Sequence, residues 1–358
     1  MYKKISIIVV LSLSVLITSC KDAPKKTLEK QEDKIVYASD VIPFFNDWKL
    51  ILGDGSNVGN AINFENKNFF YTVKEGNTNW VVYKAPNGGD THGTSNNTRT
   101  ELAQEKKWYP KTANDKLTAT LKVMNVSSTG DARVAATHAV VVGQIHSADA
   151  HENEPLKIFY KKYPGHTKGS VFWHYEINTA GEDNSGRWDF SSAVWGNDFS
   201  VVGTGENTYP EEPEDGIALG EEFSYEIVVK EGIMNLKFTS KGHETKTFTK
   251  NLIESEYTTK ADIPAQTQAL FVPIGQDGVE RKSAYTGEGL FFKLGAYNQT
   301  NGKSPEVNKN WCSGAETHGG DIQKQYEDGN YAEVWFKTAK IEISKDAVSN
   351  QGYFTKND

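Results

Sequence analysis

Apolar side chains recur at every second position in several separate runs of this chain. Leu117, Ala119, Leu121 and Val123 alternate with Thr118, Thr120 and Lys122; Val171, Trp173, Tyr175 and Ile177 form a second run, and Phe223, Tyr225, Ile227 and Val229 a third. Successive side chains of a strand point to opposite faces, so each run predicts an antiparallel strand with one buried face. Lys230-Glu231-Gly232 follows the third run and has the length and the glycine of a hairpin turn. Helical spacing is confined to short stretches at residues 41–45 and 253–257. Residues 147–154, 179–187 and 203–216 gather Gly, Asn, Asp or Pro without alternation, and are predicted loops. No repeat and no linker interrupts residues 36–345. That stretch is predicted to be one all-β domain, a two-sheet β-sandwich of jelly-roll type whose long loops border or close a groove.

The two ends of the chain read differently. Lys3 and Lys4 precede an apolar run from Ile5 to Ile17, and Thr18-Ser19-Cys20 follows, which is the pattern of a signal peptide too short to span a membrane. Leu16-Ile17-Thr18-Ser19-Cys20 resembles a bacterial lipobox, so residues 1–20 are expected to be removed and Cys20 to carry lipid. Residues 21–35 are rich in Lys, Glu and Asp and suit a flexible tether. These features imply a lipoprotein of a Gram-negative outer membrane, facing either the surface or the periplasm. Residues 346–358 are expected to form a C-terminal tail.

Composition narrows the functional classes. With 37% hydrophobic residues among 358, the chain can bury a sizeable core. A net charge of −8 without any Lys/Arg block argues against nucleic acid, which requires a basic surface. The domain holds one cysteine, Cys312, so no disulfide framework exists. Sixteen Tyr, 17 Phe and 8 Trp against 3 Met favour strands and an aromatic groove of the kind that binds carbohydrate. Histidines are scattered without metal-ligand spacing, and no metal or cofactor is expected. Asp321 and the acidic residues 211–215 carry calcium-type ligands, and a solvated loop is the simpler reading.

Three segments carry candidate chemistry. In Asn97-Thr98-Arg99-Thr100-Glu101-Leu102 alternation puts Arg99 and Glu101 on one face. The apolar run that begins at His138 ends in Gln144-Ile145-His146, with Gln144 and His146 pointing the same way. In Phe291-Phe292-Lys293-Leu294-Gly295-Ala296-Tyr297-Asn298-Gln299, the side chains of Lys293, Tyr297 and Gln299 share one face, and Phe292, Leu294 and Ala296 the other. Each segment alone fits an ordinary polar strand face.

Together, Arg99-Thr100-Glu101-Leu102, Gln144-Ile145-His146 and Phe292-Lys293-Leu294-Gly295-Ala296-Tyr297-Asn298-Gln299 resemble the three signature blocks of the alginate lyases of polysaccharide lyase family seven, in the same order. The resemblance implies a jelly roll with a concave substrate-binding sheet and metal-independent β-elimination of alginate. It differs at two positions: Ala103 stands where the family often has a second arginine, and Phe291-Phe292 where a Tyr-Phe pair is common. By this resemblance Arg99 and Gln144 neutralise the uronate carboxylate, His146 neutralises it or acts as base, and Tyr297 gives a proton to the leaving oxygen. Lys293, Asn298, Gln299 and Glu101 are assigned to substrate binding, Glu101 by orienting Arg99, and Arg133 is a further candidate for the groove lining. Ile145 leans the preference towards guluronate, and the long polar loops lean the mode of attack towards exolytic. A monomer is expected. The alternatives are a non-catalytic lipoprotein that holds polysaccharide, and a sandwich-fold glycoside hydrolase; the hydrolase is disfavoured because no Glu-x-Asp-x-x-Glu strand occurs.

Overall fold

The computed structural model describes residues 35–91, 95–148, 154–177, 188–253, 285 and 288–353. Cys20, the signal peptide, the tether up to residue 34 and the predicted loop at 179–187 lie outside these residues. Two antiparallel sheets pack face to face. The front sheet runs β2 (Asn57–Gly59), β1 (Trp48–Ile51), β5 (Arg99–Gln104), β16 (Leu290–Asn298), β8 (Ala139–Ser147), β9 (Leu156–Lys161), β10 (Lys168–Ile177), β11 (Trp188–Trp195), with β12 (Ile217–Ala218) beside β10. The back sheet runs β3 (Phe70–Glu75), β4 (Thr78–Pro86), β17 (Tyr331–Glu342), β7 (Asn114–Asn125), β13 (Phe223–Lys230), β14 (Ile233–Ser240), β15 (Lys246–Asn251). A small ribbon pairs β6 (Lys106–Lys107) with β18 (Val348–Ser349). The chain is a jelly-roll sandwich, as its alternation predicts.

The back sheet follows the alternating pattern closely. Leu117, Ala119, Leu121 and Val123 of β7 face inward, as do Phe223, Tyr225, Ile227 and Val229 of β13. They meet Val140, Val142, Ile145, Phe292, Leu294 and Ala296 from the front sheet in one continuous core. Within the back sheet Tyr83 packs edge-on to Phe70 at 5.1 Å and to Phe336 at 5.2 Å. The hairpin between β13 and β14 closes on Glu231 and Gly232, both at positive φ, which matches the right-handed twist of its strands. At residues 38–47 the short helical stretch is a four-residue helix, α1 (Ala38–Val41), followed by a 3₁₀ turn. A second helix, α2 (Ile322–Glu327), starts at Asp321, whose carboxylate accepts from the Lys324 amide at 3.1 Å. Glu212 accepts from Thr167, and Asp215 from the Gly196 amide at 2.9 Å. These acids therefore latch loops and cap a helix.

One expectation is overturned. The front sheet is not half-exposed: β8 and β9 are buried along their whole length, and Phe172 and His174 of β10 are as buried as Val171 and Trp173. Loops folded over the outer face supply the second layer of cover.

Alternation is also broken at the centre of that sheet. Between Val141 and Gly143 the register against β9 slips, and between Leu294 and Tyr297 the register against β8 slips. These bulges adjoin, so Val141 and Gln144, an odd and an even position, both face outward. Gly295 makes this possible. It has φ 149°, and a Cβ there would run into the Thr100 carbonyl oxygen and come within 2.8 Å of Glu101 Cα. Gly295→Ala is expected to cost about 2–5 kcal/mol from strain and overpacking, read as a lower midpoint of thermal unfolding together with loss of activity; an unchanged melt would show that the strand tolerates a side chain here.

Candidate active site

Strands β5, β16 and β8 lie side by side, and their outward residues form one floor. Register sets Arg99 opposite Tyr297, Ala103 opposite Lys293, Lys293 opposite Gln144, and Phe291 opposite His146. Arg99, Glu101, Lys293, Tyr297, Gln144 and His146, six of the predicted residues, are thereby brought onto one face.

Glu101 is their meeting point. Its side chain is 1% exposed; Oε2 lies 2.8 Å from Lys293 Nζ and 3.4 Å from Arg99 Nη1, and Oε1 accepts from Gln144 Nε2. Burial alone would raise the pKa of this acid, but the two cations outweigh burial and hold it below the usual carboxylate range. Lys293 gives way instead: burial lowers it to about 8, against the pull of Glu101 and with Arg99 adding to the fall. The Arg99 guanidinium also lies over the Tyr297 ring at 3.9 Å, and the Tyr297 hydroxyl is 3.3 Å from Ser95 Oγ. Glu101 thus contacts Arg99, the residue it is expected to orient. A carboxylate with both oxygens engaged by three neighbours is an internal brace, not a sugar contact.

His146 sits at the far end of the floor from Tyr297. Its Nδ1 is 2.7 Å from the Ser147 carbonyl oxygen and its Nε2 3.3 Å from Glu154 Oε1. Burial lowers its pKa to about 4, Glu154 opposing and Lys293 reinforcing the shift, so the ring is neutral near pH 7. Phe291 and Tyr353 pack on the ring, at 5.3 and 5.4 Å.

One assignment moves. Asn298 is fully buried, and its amide donates to the Ala85 and Pro86 carbonyls and to Asn87 Oδ1 while its oxygen accepts from Thr300. It therefore ties β16 to β4, and no polar atom remains for a sugar. Gln299 is 3% exposed, with Nε2 3.4 Å from the Tyr297 carbonyl oxygen. Arg133 forms a surface pair with Asp131, Nε to Oδ1 at 2.9 Å.

Sequence reasoning missed four contributors. Glu154 and Lys157 border His146 from the start of β9, and Lys157 Nζ lies 3.1 Å from Glu154 and 3.0 Å from Glu176. Tyr353 reaches His146 because β18 pairs with β6 and folds the expected tail back onto the sheet. Phe199 covers the floor over Phe159, Phe172 and His174, and stacks on Trp311 at 5.0 Å and 30°. Lys157 lies opposite Gln144 across the β8–β9 pair, a pairing that the alternation in the sequence does not announce.

The arrangement can hold a carboxylate between Arg99, Lys293 and Gln144, with a neutral imidazole on one side and a phenol on the other. Comparison with known proteins agrees. The family model described as alginate lyase matches residues 43–343. A curated alginate lyase from Klebsiella pneumoniae is 27% identical over 280 residues, which is 69% of this chain and 76% of the relative. Among solved structures, the exolytic PL7 alginate lyase AlyA5 from Zobellia galactanivorans is similar with 61% identity and TM-score 0.80, over 86% of this chain and 98% of its own. A Klebsiella pneumoniae alginate lyase structure, 22% identical with TM-score 0.59 over 84% of this chain and 96% of its own, shares the fold.

The two shifted groups set a pH window. Activity is expected to fall on the acid side towards pH 4 as His146 gains a proton, and on the alkaline side near pH 8 as Lys293 loses one. Lys293→Arg should move the alkaline limb of kcat/KM upward by at least about one unit, because a guanidinium stays charged. An alkaline limb that stays in place would remove Lys293 from the clamp.

Proposed function

Because this chain belongs to the alginate lyase family and is a polysaccharide lyase, we propose that it cuts alginate by metal-independent β-elimination, from chain ends, and prefers guluronate. The observation that carries this reading is the Glu101-centred clamp of Arg99, Lys293 and Gln144 between His146 and Tyr297. A uronate C5 proton is weakly acidic because the adjacent carboxylate already carries charge. Arg99 and Lys293 neutralise that charge, and Gln144 donates a hydrogen bond as the enolate develops. A base then takes the C5 proton, the electron pair forms the C4–C5 double bond, the C4–O bond breaks, and Tyr297 protonates the departing oxygen. Two protein cations beside the carboxylate do the work that a Lewis acid would otherwise do, which supports the metal-free form.

Guluronate requires the proton and the leaving group to depart from opposite faces. The reading of separate groups, His146 as base and Tyr297 as acid, meets that requirement; on mannuronate Tyr297 alone would serve both steps. The exolytic mode is supported by the similarity to AlyA5 and by Phe199 and Trp311, whose stacked rings fill the groove above β9 and β10. A polymer lying across the whole sheet would have to displace them. Attachment to the outer membrane through Cys20 rests on the lipobox-like sequence and stands as a proposal.

Residues 21–358 should release unsaturated uronate from alginate in the presence of a chelator, seen as new ultraviolet absorbance; activity lost to chelation and restored by calcium would contradict the metal-free mechanism. Tyr297→Phe should leave the fold intact and lower kcat by roughly 10²–10⁴-fold, about 3–5 kcal/mol, with KM little changed. Most of the activity surviving in that variant would falsify Tyr297 as the proton donor. Removing both rings, Phe199→Ala with Trp311→Ala, is expected to make viscosity fall faster for each double bond formed; a constant ratio would sink the blocked-groove account.

A further inference from the structure

The two polar neighbours of the His146 ring suit a charged imidazole, although burial keeps the resting ring neutral. Nδ1 faces the Ser147 carbonyl oxygen and Nε2 faces Glu154 Oε1, at 2.7 and 3.3 Å. A carbonyl and a carboxylate are both acceptors, and a neutral imidazole carries one N–H. Both contacts are favourable together only when both nitrogens hold a proton. That state arises once the ring has taken a proton from substrate, and an environment complementary to it lowers the barrier rather than the resting energy.

Glu154 is itself held. Its Oε2 lies 3.1 Å from Lys157 Nζ on β9, and Lys157 lies 3.0 Å from Glu176 Oε2 on β10; the three side chains are 13%, 5% and 1% exposed. Among the described residues, the other charged or titratable groups around His146 are Lys293 on β16 and Tyr353 from the C-terminal segment. Lys293 and Lys157 disfavour a positive ring, and among the described residues Glu154 is the anion that opposes them.

We propose that Glu154 is a positioning residue for the elimination: it acts through His146, compensating the positive charge the ring acquires on taking the C5 proton. The step balances within the reaction already given. The C5 proton moves to the imidazole, its electron pair enters the C4–C5 double bond as the C4–O bond breaks and Tyr297 protonates the departing oxygen, and the imidazolium, paired with Glu154, later releases its proton to solvent. The inference rests on the reading of His146 as base.

Glu154→Gln keeps the shape and leaves Lys157 its partner Glu176. On guluronate-rich alginate, kcat is expected to fall by about 10–100-fold with KM changed by less than about 3-fold. Loss of the carboxylate removes the group that raises the His146 pKa, so the acid limb should move to lower pH; Glu154→Asp, which keeps the charge, should return it towards its original place. In a His146→Asn background, adding Glu154→Gln should change the residual rate little, because its partner is gone. Wild-type kcat and an unmoved acid limb in Glu154→Gln would overturn the proposal, as would an equal loss in both backgrounds. Full activity in His146→Asn alone would instead overturn the base assignment on which the proposal rests.

Discussion

A buried carboxylate with three partners is the constraint around which the site is built. Glu101 stands on β5, Lys293 on β16 and Gln144 on β8, so its contacts tie together the three strands of the floor. Taking Glu101 and two cations out of water is costly, and only mutual pairing compensates. The arrangement leaves the cluster with a net positive charge, which is what an anionic sugar requires. Removing Glu101 would leave Arg99 and Lys293 facing each other without a counter-ion. The acidity of the chain as a whole matters little here, because exposed acids more than about 10 Å away are screened by salt.

The residues on regular strands were legible. Leu117 to Val123 and Phe223 to Val229 kept their alternation because each has one face in the core. Arg99 with Glu101, and Gln144 with His146, shared faces for the same reason. The Val142 and Gly295 bulges were not legible, since a slip of one residue leaves no mark in a run as apolar as that before Gln144. Asn298 was misassigned because its position in the motif says nothing of its three buried acceptors. Glu154, Phe199, Trp311 and Tyr353 come from loops or the chain end, where no periodicity reports what the side chain meets.

Burial on both faces of the front sheet follows from those same loops. A sandwich needs only its inner faces covered, so the outer cover over Phe159, Phe172 and His174 shapes the groove rather than completing the core. Function thereby sets how apolar these strands are, and strand composition alone reads as ordinary core.

The position of β16 and β17 carries a consequence for how the molecule comes into being. β16 joins β5 to β8 in the front sheet, and β17 joins β4 to β7 in the back, so each sheet is closed at its centre by a late segment. Arg99 pairs with Tyr297, and Val82 with Trp335, across most of the chain. Such long-range closure is slow, on the order of milliseconds to seconds in all-β domains. Until it occurs, β5 and β8, and likewise β4 and β7, present unpaired edges that invite association with other chains. Keeping nascent copies apart until residue 342 is available should therefore govern the yield of native protein.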